Sequence, residues 1–313
     1  MGLGKVLLAI CTPVVVARWF SRHFGLGCAI SWAGWHLGGL VLSPITQGAV
    51  AVVGWRHACV GLAVTMIVIG LLPLLLAMRI KGPEELGVGL DGAELDSGVL
   101  TAWSPNDPPA RSRVVCESIV SSRFWLIAAG TICFWAAYAG ALTHQSGLLE
   151  NSGVSGGWAS LALGSTAAFA AIGTLASGWF VSRWNLISVG LVTYGLLSAG
   201  VLGLLLFSQT GSIAALSVQS VCLGLSIGAA NVFWTTVLKR RLGDAAFDYN
   251  YSIWYFFVVA TLLTAPVLAG FLYDATGTYT WALTVLLATA LAGGIIGVLA
   301  ALERPDSSPL SVE

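Results

Sequence analysis

The feature that most constrains this chain is an uncharged run over residues 25–55, which contains no Asp, Glu, Lys or Arg. It is longer than the roughly 20 apolar residues that a helix needs to cross a bilayer. Gly34 and Gly38 are four residues apart and share one helical face, with Gly39 following. Small residues at this spacing allow a second helix to approach closely in lipid. The run therefore predicts a membrane helix that packs through Gly34, Gly38 and Gly39.

Apolar segments continue along the rest of the chain. Its residues are 57% hydrophobic and 9% charged, whereas about 25% are charged in soluble domains. The composition predicts an all-α polytopic membrane protein embedded in a lipid bilayer, and a net charge of zero gives no reason to expect a nucleic-acid partner. Nine transmembrane helices are expected, at about 3–20, 28–53, 58–78, 124–143, 158–181, 186–207, 212–236, 252–273 and 279–301.

The first of these segments has a rival interpretation as a cleaved signal peptide, with Lys5 before its apolar core. If it spans with the N-terminus outside, twelve of the fourteen Lys and Arg residues lie inside, and only Lys5 and Arg56 lie outside. Cleavage before Arg18 would invert every later loop, against the positive-inside rule. We therefore predict a span, in the inner or plasma membrane, with the N-terminus outside and the C-terminus cytoplasmic.

The spans form three groups of three, and each group runs opposite to the next. Inverted repeats of this kind build a midplane binding site in secondary transporters. We predict four regions. They are a partial N-terminal bundle of three spans (1–79), a cytoplasmic linker (80–122), a C-terminal six-helix bundle (123–302) and a cytoplasmic tail (303–313).

Several segments carry a family resemblance. They are the stretch from Pro13 to Arg56, with its Arg-Trp-Phe turn and Gly-rich helix, and the motifs GPEELGVGLDG, HQSGLLENSGVS and PVLAGFLYDATGTY. Together they resemble the major facilitator superfamily, and most of all its branch of monocarboxylate and oxalate/formate-type transporters. The resemblance covers nearly the whole chain as the last nine helices of a twelve-helix transporter, with the first three missing. Ser182 departs from it, because the family has an acidic residue there.

This resemblance implies secondary active transport of a small-molecule solute by alternating access, without a cofactor. Whether a proton is coupled to the solute is left open. It also leaves open a missing N-terminal segment, a partner chain or a second copy that would complete the first bundle. The alternative function is a non-transporting remnant or a membrane interaction partner.

Enzyme function is not expected. The sequence has no HExxH, GxSxG or Walker motif, and its four histidines are far apart. Activation of water or of a nucleophile would need such a cluster. The six cysteines form no CxxC pair and indicate no metal site.

Uncharged polar and aromatic residues within the spans are the candidates for substrate binding. His36 and His144 can exchange a proton near neutral pH, or each can donate one hydrogen bond to a neighbouring helix. Amides and indoles suit a neutral or weakly polar solute, or they hold helices together. Pro266 and Gly270 are expected at a helix-packing surface. The substrate-binding candidates are His36, His144, Gln219, Asn231, Trp234 and Trp254.

Overall fold

The computed structural model describes residues 3–77, 79–80, 82–93, 116–152, 156–243 and 247–302. These ranges contain helices and no strand, so the all-α prediction is confirmed. The α-helices are α1 (Leu3–Trp19), α2 (Phe24–Thr65), α3 (Leu72–Ala77), α4 (Ser122–Asn151), α5 (Gly156–Arg183), α6 (Leu186–Thr210), α7 (Ile213–Leu242), α8 (Phe247–Thr276) and α9 (Tyr279–Leu302). A π-helical segment (Met66–Leu71) joins α2 to α3, and short 3₁₀ turns occur at Pro83–Leu86 and Leu90–Gly92.

Eight segments within the described residues are long and apolar enough to cross a membrane. By hydropathy the first two segments are Phe24–Leu42 and Ile45–Leu75, which puts their boundary at residues 43–44. The helical backbone, however, breaks ten residues later, at Gly54, with φ 78° and ψ 161°. That conformation suits glycine because it has no Cβ. The break falls between the predicted spans 28–53 and 58–78. Helix α1 is shorter than the eight, so its membrane crossing stays a prediction.

The six helices α4–α9 form a closely packed bundle, with its tightest contact between α5 and α7. A Cβ at Gly173 would lie 2.5 Å from the carbonyl oxygen of Leu225, and one at Gly228 would overlap the carbonyl oxygen of Ala170. The two backbones therefore touch, as small residues allow in lipid. The residues of the predicted linker at 94–115 and the predicted tail lie outside the described residues.

Among the described residues, α1, the turn after it and the start of α2 contact this bundle. A Cβ at Gly25 would lie 3.1 Å from Cγ1 of Val181 on α5, and Gly178 on α5 meets Ala29. The Tyr251 hydroxyl on α8 donates to the carbonyl oxygen of Ala9 on α1, at 3.3 Å.

The remainder of α2 packs differently from the sequence prediction. After Ala33, its side chains are exposed or half-buried except for Ala58 among those that the structure describes. Apart from the neighbouring residues and backbone of α2 itself, no atom of the described chain lies within 4 Å of a Cβ built at Gly34, Gly38 or Gly39. The expected helix–helix contact is therefore not made by α1–α9, and a partner for this face stays a prediction.

Candidate functional site

One face of α2 packs near its start against α5 of the six-helix bundle, a contact region called the junction below, and this face carries two polar rings. Cys28, Ala29, Trp32 and Ala33 are buried there, and His36 follows Trp32 by one helical turn. The Trp32 indole nitrogen and His36 Nε2 are both buried and have no hydrogen-bond partner among the described residues. Residues four apart lie side by side on a helix, so the two nitrogens belong to one surface. The indole N–H needs a hydrogen-bond acceptor, whereas His36 Nε2 donates or accepts according to its tautomer.

Two basic side chains lie beside this junction at the end of α7. The Lys239 ammonium donates to the carbonyl oxygen of Phe20 at 2.9 Å and lies over the Phe24 ring, 4.3 Å from its centre. Nη2 of Arg240 donates to the carbonyl oxygen of Val181 at 3.3 Å. The Lys239 bond joins α7 to the turn between α1 and α2, so it connects the two bundles directly.

Asp91, in the second 3₁₀ turn, binds the turn between α1 and α2 at residues 21–23. Its carboxylate accepts from the backbone N–H groups of Ser21, Arg22 and His23 at 3.0, 2.7 and 3.2 Å. The His23 ring nitrogen Nδ1 lies 3.2 Å from Asp91 Oδ1. Burial raises the pKa of Asp91, but the hydrogen bonds from the turn lower it by more, so its pKa lies below the ordinary value. The start of the predicted linker is thus a cap on the α1–α2 turn.

Two candidate residues form interhelical hydrogen bonds inside the six-helix bundle. Gln219 on α7 exchanges two bonds with Gln145 on α4, at 3.1 and 3.2 Å, and both side chains are fully buried. His144 Nε2 lies 3.0 Å from the Pro266 carbonyl oxygen on α8. A Cβ at Gly270 would lie 3.5 Å from the His144 ring. His144 of α4 thus contacts α8 at Pro266 and Gly270. A helix-packing role for Pro266 and Gly270 and a binding role for His144 stay predictions.

The remaining candidates are placed at different surfaces. Trp234 is 1% exposed and packs edge-on against Tyr194, with ring centres 6.3 Å apart, in the interior of the bundle. Trp254 donates its indole N–H to Thr131 Oγ1 at 2.9 Å. Asn231 is half-buried and lies one turn before Thr235. Binding roles for these three residues stay predictions.

Four residues that the structure brings into view were not among the candidates. They are Trp32, Asp91, Trp135 and Gln145. The Trp135 indole nitrogen is buried without a partner among the described residues. The sequence offered one indication of Gln145, because it directly follows the candidate His144 just beyond the predicted span 124–143. The sequence offered no indication of Asp91, because a carboxylate in a linker does not reveal which turn it caps.

No three His, Cys, Asp or Glu side chains in the described ranges come close enough to hold a metal ion.

Comparison with known proteins identifies the family. The sequence model of the Major Facilitator Superfamily matches residues 1–247, most of the chain. The chain belongs to the major facilitator superfamily. The curated proteins include no significant match. The branch of monocarboxylate and oxalate/formate-type transporters stays a prediction.

Solved structures agree with this assignment at the level of the fold. The chain is similar to the transporter FucP in an outward conformation, with a TM-score of 0.63 and 16% identity over 94% of this chain and 72% of that one. It is also similar to the E. coli fucose:proton symporter FucP, with a TM-score of 0.66 and 14% identity over 94% and 73%. The protein is therefore a multi-pass membrane protein with the fold of secondary transporters that carry small solutes.

Proposed function

We propose that this protein carries a small neutral solute across the membrane by alternating access at the junction of its two bundles. The observation that carries the proposal is the position of the contacts between bundles. The Lys239–Phe20 bond, the Gly25–Val181 approach and the Gly178–Ala29 contact all lie near the start of α2 and the ends of α5 and α7. One end of the pathway is thus closed, and opening it requires these contacts to separate.

A disulfide across the junction tests this mechanism. The Cβ positions of Gly25 and Val181 lie 3.7 Å apart, within the range of about 3.5–4.5 Å that a disulfide needs. Gly25→Cys with Val181→Cys, in a chain without its native cysteines, should lose uptake into proteoliposomes on oxidation and regain it on reduction. The two single-cysteine chains are the matched controls. The uptake panel sets L-fucose and other neutral sugars against formate and lactate.

Two results would contradict the proposal. The first is saturable uptake that persists in the oxidised pair, because it would show that the junction does not open during transport. The second is saturable uptake of formate or lactate without that of any neutral solute. We infer neutrality because Lys and Arg are lacking from the interiors of the predicted spans 158–181 and 252–273, and a carboxylate in the membrane needs a partner of opposite charge.

We also propose that a proton is coupled to the solute through His36. Its ring lies half-buried on the junction face of α2, and its Nε2 has no partner within the described structure. An inward proton gradient should stimulate uptake by the natural protein, and His36→Gln should abolish that stimulation without unfolding the chain. His57→Gln is the matched control, because His57 is exposed and its Nδ1 lies 3.1 Å from the Val53 carbonyl of its own helix. Stimulation that survives in His36→Gln would refute the role of His36.

The orientation of the chain is the last part of the proposal. Arg22, Arg183, Lys239 and Arg240 all lie at the closed end of the junction or close to it in sequence. Basic residues accumulate on the cytoplasmic side of membrane proteins. We therefore place the closed end in the cytoplasm, with the N-terminus outside, in the inner or plasma membrane.

A further inference from the structure

A cavity of about 290 Å³ opens at the closed end of the junction, between the α1–α2 turn and the end of α7. From the first bundle it is lined by Ser21, Arg22 and Phe24, and from the second by Thr236, Lys239 and Arg240. A water molecule occupies about 30 Å³ in the liquid, so the cavity has room for a polyatomic group. It belongs neither to the His36 face nor to the hydrogen bonds inside the six-helix bundle.

The lining of this cavity is strongly basic. Arg22, Lys239 and Arg240 contribute three cations, and the side chains that line it within the described part of the chain include no carboxylate. The acidic group that contacts the 21–23 turn is Asp91, whose oxygens accept the three backbone N–H groups of that turn. The Asp91 carboxylate is thus occupied by the backbone of the turn, whereas the side chains of Arg22, Lys239 and Arg240 line the cavity.

The hydrogen-bond donors of these cations suit an oxyanion. Arg22 and Arg240 are exposed, and a guanidinium offers five N–H donors in a planar fork, of which Arg240 uses one through Nη2 for the Val181 carbonyl. Such forks bind phosphate oxygens in pairs. Lys239, only 7% exposed, adds a third positive charge to the lining.

We propose that this cavity is a binding site for a phosphate-type anion, either the headgroup of an acidic phospholipid or free phosphate. The ligand would contact Arg22 of the first bundle and Arg240 of the second. It would therefore bind best when the two bundles meet, and it would stabilise the closed end against opening. The site is independent of which solute the protein transports.

Thermal unfolding of the purified full chain tests the site with two probes. One is inorganic phosphate, added to protein in phosphatidylcholine nanodiscs, with sodium chloride at equal ionic strength as the salt control. The other is a nanodisc in which a third of the lipid is phosphatidylglycerol. We expect at least one probe to raise Tm by several degrees, since a ligand that binds only the folded state stabilises it. Phosphate alone would identify a free anion, and phosphatidylglycerol alone would identify the headgroup.

The variants decide whether the cavity is responsible. Arg22→Gln combined with Arg240→Gln should remove the Tm rise, and Arg22→Gln alone, which alters only an exposed side chain, should reduce it. Arg183→Gln is the matched control. Arg183 lies at the end of α5, stacks on Trp179 with 4.3 Å between its guanidinium carbon and the ring centre, and is not among the lining residues. An equal rise in all variants, no rise with either probe, or a rise reproduced by sodium chloride would overturn the proposal.

Discussion

At the scale of single residues, the pair formed by Gln145 and Gln219 shows how this protein satisfies polar groups in its interior. Each amide donates to the other, at 3.1 and 3.2 Å, and Ser220 adds a third bond to Gln219 Oε1 at 3.2 Å. Neither Gln side chain is exposed. A buried amide without its partner loses hydrogen bonds that lipid cannot replace. The pair therefore fixes α4 against α7.

Replacing one member of this pair should destabilise the fold. We expect Gln145→Leu or Gln219→Leu to lower the free energy of unfolding by about 1–2 kcal/mol, since each change leaves the other amide unsatisfied. The double variant should cost less than the sum of the two, because both orphaned groups are then removed. Unfolding in detergent measures the cycle, with Gln209→Leu at the exposed end of α6 as the control. Strict additivity would show that the two amides do not interact.

At the scale of helices, close packing in the bundle depends on the glycines where α5 and α7 meet. A Cβ at Gly224 or Gly228 on α7 would overlap backbone atoms of α5. We expect Gly228→Ala to destabilise the protein by at least about 1–3 kcal/mol, because the added methyl group must displace backbone. Gly195→Ala is the matched control on α6, where nothing lies within 4 Å. Equal unfolding free energies for the two variants would contradict this contact.

These helices also show which features the sequence can predict. Long uncharged runs predict the spans, and the break at Gly54 falls between the predicted spans 28–53 and 58–78. The partners of side chains could not be predicted, because they depend on which helices become neighbours. Gln219 was a candidate, yet its partner is 74 residues away. Gly34 and Gly38 have the spacing of a packing face, but the described chain brings no helix to it, whereas Gly173 and Gly228 meet backbone directly.

At the scale of the whole molecule, the distribution of charge and the direction of the bundles are linked. Three basic residues, Arg22, Lys239 and Arg240, line the cavity at the closed end of the junction. Lys239 and Arg240 also donate to backbone carbonyl groups, of Phe20 and Val181 respectively. On the nine-span topology predicted from the sequence, twelve of the fourteen Lys and Arg residues would lie outside if that end were outside. The positive-inside rule opposes this arrangement. We therefore expect the closed end of the junction to face the cytoplasm.

Cysteine labelling tests that orientation in two single-cysteine chains. One keeps the native Cys116, which is exposed just before α4, and the other carries Asn151→Cys at the opposite end of the same helix. The 30 residues of α4 span about 45 Å at 1.5 Å per residue, so its ends lie on opposite sides of a bilayer. In intact cells, a membrane-impermeant maleimide should label the Asn151→Cys chain and leave Cys116 unlabelled until the cells are opened. The reverse pattern would place the closed junction outside, and labelling of both chains in intact cells would mean that α4 does not cross the membrane.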